Sequence, residues 1–227
     1  DLEIFGHAIS HDLRGPIITI KGLLRWIEKD AKTGQFERLN KNIATVFRSA
    51  DRMEELITDL LKLSRIATIE DETQELSFGE IAEEASDLLS TRISQTNVQL
   101  EIQQDLPVVK FCRSKLLTVI QNLLENAVKY MGDQTQPHVT VGHREEGGSH
   151  VFFVEDNGMG IKEEDQEKIF HLFVKLDEKT EGSGIGLAML KRILDGSRGR
   201  IWVESEGLGQ GSRFCFTLSD EGNRCSG

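Results

Sequence analysis

The sequence has little cysteine and proline, few aromatic residues and no long apolar run. Three of its 227 residues are Cys, three are Pro, and aromatic residues make up 6%. Three widely spaced Cys form neither a disulfide framework nor a metal-binding pattern, which favours a reducing compartment. No apolar run approaches the roughly 18 residues of a membrane span, and the sequence has no signal-peptide pattern. A helical pattern starts at once after Asp1, so we expect a cytoplasmic fragment without membrane contact, cut from a longer protein whose missing N-terminal part could attach to a membrane.

Positive charge is also scarce. Lys and Arg number 27 against 38 Asp and Glu, and the formal net charge is -11. A nucleic-acid-binding protein should carry a basic patch, so this balance argues against that class of protein. The charge does not exclude nucleotide binding, because one phosphate pocket needs only a few local hydrogen-bond donors.

The first 68 residues carry a helical apolar pattern with no strand-like alternation. Apolar residues recur at spacings of three and four, with a break at residues 33–35, which predicts two long helices joined by a short loop. The apolar positions are Phe5, Ile9, Leu13, Ile17, Ile20, Leu24, Ile27, Leu39, Ile43, Val46, Ala50, Met53, Ile57, and Leu60 or Leu61. Two helices alone cannot cover both apolar stripes, so we expect a homodimer in which two hairpins form a four-helix bundle.

The remainder of the chain mixes helices and strands. We predict a linker over residues 69–76, a second domain over 77–219 and a frayed tail over 220–227. Helices are predicted over 78–93, 114–130 and 185–194, and strands over 98–102, 108–111, 139–144, 150–155, 200–204 and 212–218. Hairpins rather than strict crossovers join the strands, which predicts an α+β two-layer sandwich.

A histidine lies on the polar side of the first predicted helix. His11 is at about 200° from Ile9, whereas the apolar stripe centres at about 35°. Asp12 follows it, and Pro16 then weakens the helix by about 3 kcal/mol. An exposed imidazole has a pKa of about 6.5 and can act as a nucleophile, with the adjacent carboxylate orienting the ring or accepting its proton. The alternatives are an ordinary surface histidine and a proline that only bends the helix for packing.

The predicted helix over 114–130 carries an unusual polar face. Asn122, Asn126 and Lys129 fall within about 60° of each other, opposite the apolar face. The alternative is a solvated surface, but Asn is a poor helix former in mid-helix. Two amide oxygens one turn apart, beside a lysine, suit Mg²⁺ and phosphate oxygens.

Two glycine-rich segments follow. Asp156 comes at the end of a predicted strand, where its carboxylate could accept a hydrogen bond from a base amine, and Gly158 and Gly160 would let a planar base approach the backbone. The segment 182–186 opens a helix, where backbone N–H groups can hold phosphate. The alternatives are a turn built on Asn-Gly for the first segment and a flexible hinge for the second.

Taken in order, these motifs resemble the catalytic core of sensor histidine kinases over nearly the whole chain. The histidine box covers residues 10–16, the asparagine box 122–130, the first glycine box 156–160, the phenylalanine box 169–173 and the second glycine box 182–187. Any one of these motifs alone would be a weak signal, whereas five in the expected order are specific.

The resemblance implies a fold and an activity. The hairpin would be the dimerisation and phosphoacceptor domain, and the second domain would be a Bergerat-type ATP-binding sandwich, as in gyrase and Hsp90 relatives. His11 would take the γ-phosphoryl group of ATP, with Asp12 helping to deprotonate it. The group would then pass to an Asp of a response-regulator receiver domain.

The resemblance also implies roles in binding ATP and Mg²⁺. Asn126 would coordinate Mg²⁺ with help from Asn122, and Asp156 would accept a hydrogen bond from the adenine amine. Lys129 and Tyr130 would contact phosphate or ribose. The other residues implied to bind the nucleotide are Gly158, Gly160, Phe170, Lys175, Gly182, Ser183, Gly184, Ile185, Gly186 and Leu187.

Three features depart from the family pattern: Gly15, the short lid over residues 174–181, and residues 195–198 at a helix exit, where the family often has a His-Gly pair. The family often has Thr or Asn four residues after the histidine, where it can position a water that hydrolyses the phosphohistidine. Gly15 stands at that position here and has no side chain, so we expect weak phosphatase activity.

Two rival functions remain. A dimeric scaffold that binds ATP without transferring phosphate is disfavoured by the intact His11, Asn126 and Asp156. An ATPase or serine kinase on the same ATP fold is disfavoured by the His-Asp hairpin, and ATPases of this type usually have Glu where Asn122 stands.

Overall fold

Two long helices, α1 (Leu2–Thr33) and α2 (Phe36–Ile66), form the hairpin that the apolar spacing predicts. The computed structural model describes residues 2–66, 72–176 and 183–218, and the side chains of residues 2–13, 52, 55 and 62–66 lie outside the described part. Helix α1 continues through Pro16, although the proline nitrogen cannot donate to the carbonyl one turn earlier. Within the described residues, no helix is long and apolar enough to cross a membrane.

Hydrogen bonds to a buried carboxylate stabilise the turn between α1 and α2. Asp30 is fully buried, and its two oxygens accept hydrogen bonds from Nε of Arg38 at 2.9 Å and from Nδ2 of Asn42 at 3.1 Å. The guanidinium of Arg38 also lies 5.5 Å from the ring centroid of Trp26. The hydrogen bond from Arg38 is the main reason why the pKa of Asp30 lies below its ordinary value. Residues of both helices thus hold the end of the hairpin together.

The second domain contains four α-helices, two short 3-10 helices and seven strands among its described residues. The α-helices are α3 (Phe78–Leu88), α4 (Ser90–Thr96), α5 (Arg113–Lys129) and α6 (Gly186–Gly196). The strands are β1 (Gln74–Ser77), β2 (Gln99–Ile102), β3 (Val108–Phe111), β4 (His138–Glu146), β5 (Ser149–Asp156), β6 (Arg200–Glu204) and β7 (Ser212–Thr217). Five strands form a sheet in the order β2-β4-β5-β7-β6, in which β2 and β4 are parallel and the other neighbours antiparallel. Strands β1 and β3 form a separate antiparallel pair.

The core lies between the sheet and the helices. The ring of Phe78 in α3 stacks on Phe152 in β5 with a centroid distance of 4.2 Å. Helix α5 buries its apolar face completely at Leu116, Leu123 and Leu124, and α6 contributes Leu190. Burying these side chains away from water is the main stabilising contribution here, roughly 1.5–3 kcal/mol each. The predicted α+β two-layer sandwich is therefore confirmed.

Two elements differ from the sequence-based prediction. The single helix predicted over 78–93 is two helices, because Leu89 has φ -104° and ψ 3° and leaves helical geometry while its side chain stays buried. Strand β1 was not predicted, since Leu76 is its one apolar residue and the one it buries. This strand forms because its backbone pairs with β3, which a local apolar pattern does not reveal.

Helix α2 also packs against the second domain. Leu56 is 3% exposed and belongs to the same apolar cluster as the residues of α5 and α6, with the half-buried Leu60 beside it. The hairpin therefore contributes side chains to the edge of the second domain where α6 begins.

Candidate functional site

A cavity of about 550 Å³ lies between α5, the start of α6 and the C-terminal half of α2. Its volume falls within the range of roughly 300–1,000 Å³ that is usual for small-molecule sites. The predicted site residues that line it are Asn122, Asn126, Lys129, Tyr130, Ser183, Gly184, Gly186 and Leu187. The fold therefore joins the asparagine face of α5 to the second glycine segment.

The asparagine face presents an oxygen to this cavity. Nδ2 of Asn122 donates to the carbonyl of Thr118 at 2.8 Å. A Cβ on Gly186 would lie 3.0 Å from Oδ1 of Asn122, so this oxygen is directed towards the start of α6. Asn126 lies one turn further along the helix and lines the same cavity. Amide oxygens are hard ligands of the kind that Mg²⁺ prefers, so the side chains of these two Asn residues fit this ion.

The C-terminal end of α5 holds the first glycine segment close to the cavity. Nζ of Lys129 lies 4.7 Å from the ring centroid of Tyr130. The backbone N–H of Met159 donates to the carbonyl of Tyr130 at 3.0 Å, and a Cβ on Gly158 would meet that carbonyl oxygen at 2.5 Å. Position 158 thus requires glycine, because any side chain would clash with the backbone of residue 130.

Asp156 is a buried carboxylate at the end of β5. It is 7% exposed; Oδ1 accepts from the N–H of Gly158 at 2.8 Å, and Oδ2 accepts from the hydroxyl of Ser212 at 2.6 Å. Burial raises the pKa of Asp156 above its ordinary value, while the hydrogen bond from Ser212 acts in the opposite direction. Asp156 adjoins the cavity through Gly158 and Tyr130 and is not one of its lining residues.

The second glycine segment is held at the start of α6. The N–H of Phe173 donates a hydrogen bond to the carbonyl of Gly184 at 2.9 Å. Phe173 and Gly184 therefore lie side by side, although ten residues separate them in the chain. Gly184 has φ +73°, and a Cβ there would lie 2.9 Å from the carbonyl carbon of Phe173. The fully buried Ile185 donates its N–H to Oγ of Ser183 at 3.2 Å.

The remaining predicted residues lie elsewhere or outside the description. Phe170 packs into the core, with its ring centroid 6.4 Å from that of Phe214 in an edge-to-face contact. Lys175 is half-buried and does not line the cavity. Gly182 lies outside the described residues. His11 and Asp12 lie within α1, but their side chains are outside the described part.

The structure adds residues that the sequence reading missed. The cavity is also lined by Asp51, Glu54, Thr58 and Asp59 of α2 and by Arg92 of α4. No local pattern marks these residues, because only the packing of α2 against the second domain brings them to the cavity. Ser212 was missed as the partner of Asp156, although the three glycines at 207, 209 and 211 directly before it were an available signal.

Two family models match the chain in order. Residues 2–69 match the His Kinase A (phospho-acceptor) domain, and residues 113–222 match the histidine kinase-, DNA gyrase B-, and HSP90-like ATPase. The chain is 38% identical over 218 residues to the methanogenesis regulatory histidine kinase FilI of Methanothrix harundinacea, covering 96% of this chain. It is 35% identical over 224 residues to cyanobacterial phytochrome B of Nostoc sp., covering 97% of this chain.

The fold is also that of a solved kinase. The structure of histidine kinase ThkA in complex with response regulator protein TrrA superposes with a TM-score of 0.73 at 21% identity, covering 98% of this chain and 63% of that chain. The two family models thus define a phosphoacceptor helical hairpin joined to an ATPase domain. The chain belongs to the sensor histidine kinases, of which it is the catalytic core. It spans 24% and 30% of the length of the two relatives named above.

Proposed function

We propose that this chain, as a homodimer, phosphorylates its own His11 with ATP and then passes the phosphoryl group to an Asp of a response-regulator receiver domain. The observation that carries the proposal is the cavity in which Asn122, Asn126 and the segment from Ser183 to Gly186 converge, in a chain whose hairpin carries the histidine box. The receiver would dock on the helical bundle near His11. The proposal includes no nucleic-acid partner and no contact between this part of the protein and a membrane.

The nucleotide would lie with its base towards Asp156 and its phosphates at the start of α6. The backbone N–H groups of the second glycine segment, from Gly182 to Leu187, would bind the phosphates there, since a helix N-terminus favours negative charge. Lys129 and Tyr130 would contact phosphate or ribose, and Lys175 would be a cation of the segment that covers them. Phe170 would support that segment from the core.

Mg²⁺ would be held by the side-chain oxygens of Asn126 and Asn122. When bound, it would neutralise charge on the phosphate oxygens during transfer. The direction of Oδ1 of Asn122 towards Gly186 supports this assignment.

Transfer is a displacement at phosphorus. An imidazole nitrogen of His11 would attack the γ-phosphorus in line, and the bond to the β-γ bridging oxygen would break, leaving ADP with the electron pair. Asp12 would accept the imidazole proton. Positioning and charge neutralisation supply most of the catalysis in such reactions.

The test is labelling with γ-labelled ATP. We expect a phosphoprotein whose label is acid-labile and alkali-stable, and whose label disappears in His11→Gln. Asp12→Asn should retain ATP binding and lose about 10²–10⁴-fold in phosphorylation rate, as is typical when a proton acceptor is removed. A label that survives His11→Gln would contradict the proposal. ATP binding without any label would favour the scaffold, and steady ATP turnover without phosphoprotein would favour the ATPase.

A further inference from the structure

A carboxylate of the hairpin reaches the predicted phosphate site. The hydroxyl of Ser183 donates a hydrogen bond to Oδ2 of Asp59 in α2, and the same hydroxyl accepts the N–H of Ile185. Ser183 is 8% exposed, so this contact is largely shielded from water. An anion is therefore already held at the start of α6, where the dipole and free N–H groups of a helix favour negative charge.

The neighbouring wall of the cavity is acidic too. Asp51, Glu54 and Asp59 all lie on α2 and line the cavity that Asn122 and Lys129 also line. Burial of Leu56 against the second domain keeps this part of α2 in position. The carboxylates and the phosphates of a nucleotide would thus compete for one region of the molecule.

We propose that Asp59 is a built-in competitor of the nucleotide phosphates, which occupies their position at Ser183 until ATP displaces it. The inference rests on the proposed function, since it assigns the phosphates to the second glycine segment. ATP binding then requires that the bond between Asp59 and Ser183 breaks and that α2 moves away from the start of α6. Nucleotide binding thereby frees the second domain from the position in which α2 holds it.

The competition depends on the number of phosphates. ATP carries the most negative charge into the region of Asp59, ADP carries less, and adenosine carries none. Asp59 should therefore weaken the binding of ATP most, weaken the binding of ADP less, and leave the binding of adenosine unchanged. This order distinguishes competition at the phosphates from a general effect of α2 on the pocket.

The experiment is calorimetric titration of the full chain with ATP, ADP and adenosine, each in the presence of Mg²⁺. Asp59→Asn is expected to bind ATP about tenfold more tightly than the wild type. An Asn oxygen can still accept the hydrogen bond from Ser183, but it carries no charge that opposes the phosphates. A neutral hydrogen bond is also weaker than one to a charged group by about the 1.4 kcal/mol that corresponds to tenfold in affinity. The gain for ADP should be smaller, and the affinity for adenosine should not change. Asp59→Ser, which removes the charge with a smaller side chain, is expected to behave in the same way.

Glu37→Gln is the control. It removes one negative charge from the other end of α2, outside the lining of the cavity, and leaves the hydrogen bond between Asp59 and Ser183 intact, so ATP affinity should change about twofold or less. An ATP affinity that stays at the wild-type value in both Asp59 variants overturns the proposal, and so does an equal gain for adenosine. If neither the wild type nor the variants bind any of the three ligands, the proposed function itself fails.

Discussion

At the scale of single residues, the surroundings of the buried carboxyl group of Asp156 shift its pKa. Burial raises its pKa above the ordinary value of 3.8, and the hydrogen bond from Ser212 opposes that rise. An ionised carboxylate is the better acceptor for an adenine amine. Base recognition should therefore weaken as the pH falls through the raised pKa, which happens at a higher pH than for an exposed Asp.

Adenosine affinity should reveal this titration. We expect the dissociation constant of adenosine to rise on acidification at a pH above 3.8, the ordinary pKa of an Asp. Adenosine is the probe because the phosphates of ATP titrate themselves. Ser212→Ala should shift the loss of affinity to higher pH, since it removes a donor that stabilises the ionised form. A loss at the same pH in wild type and Ser212→Ala would contradict this role for Ser212. Ser149→Ala is the control, because Ser149 is exposed and lies at the opposite end of β5 from Asp156.

Gly15 is the second residue with a specific consequence. It lies in α1 four residues after His11, and a Cβ added there would meet nothing within 4 Å. A threonine hydroxyl at this position would fit and could position a water for hydrolysis.

Gly15→Thr should therefore increase dephosphorylation of the phosphorylated partner by about 10²-fold, which is the lower end of what a positioned side chain contributes to a proton-transfer step. The measurement is loss of label from a phosphorylated receiver, with Gly15→Ala as the control that adds a Cβ without a hydroxyl. Fast dephosphorylation by the wild type, unchanged in Gly15→Thr, would disprove the idea.

At the scale of elements, the turn of the hairpin depends on one ion-pair network. Asp30 accepts hydrogen bonds from Arg38 and Asn42 and is fully buried. An Asn at this position would keep one acceptor oxygen but turn the other into an NH2 donor, which leaves one of the two donors without its acceptor. The exposed pair of Glu28 and Lys32 lies on the same helix and makes a hydrogen bond of 2.6 Å. Because both residues of this pair are exposed, the pair should contribute far less to the stability of the folded chain than the Asp30 network does.

Asp30→Asn is expected to lower the melting temperature clearly, and Glu28→Gln to leave it nearly unchanged. The pKa of Asp30 is lowered on folding, so its stabilisation is present above the pKa of the unfolded chain, about 3.8, and is lost as the pH falls through the lower folded value. The difference in melting temperature between wild type and Asp30→Asn should thus shrink at acid pH. If the difference in melting temperature stays constant as the pH falls, the charge of Asp30 is not the source of the stabilisation.

At the scale of the whole molecule, the hairpin leaves part of its apolar stripe uncovered. Leu24 is 52% exposed and Ile57 is 46% exposed, although both belong to the stripes that the sequence pattern defined. Ile17 lies seven residues before Leu24, on the same side of α1, and is 38% exposed. A second hairpin would bury these side chains in a four-helix bundle.

Leu24→Asp should therefore convert the dimer to a monomer, because a charged carboxylate cannot be buried in the bundle core without a partner. Light scattering after size-exclusion chromatography measures the mass. Ile18→Asp is the control, since Ile18 is 62% exposed but lies off the stripe, at about 180° from Ile9. A monomeric wild type would contradict the dimer, and loss of the dimer in Ile18→Asp as well would mean that the stripe does not define the interface.

The elements with long amphipathic patterns could be predicted from the sequence. The bounds of α5 and α6 and of strands β3 and β6 agree with the predictions to within two residues, because their burial follows a regular period. The break at Leu89 and the strand β1 could not be predicted, since the first depends on how α3 and α4 pack and the second on pairing with β3. Local periodicity carries no information about either.

The sequence by itself determined the two-part architecture and the order of the five motifs, because residue type and spacing specify helix faces and glycine turns. The resemblance of these motifs to sensor histidine kinases then supplied the candidate residues from His11 to Leu187. The tertiary structure alone decided which residues meet. It placed Oδ1 of Asn122 beside Gly186. It also formed the hydrogen bonds from Ser212 to Asp156 and from Ser183 to Asp59 of α2. These contacts join residues up to 124 positions apart in the chain, so they follow from the packing of whole elements against one another.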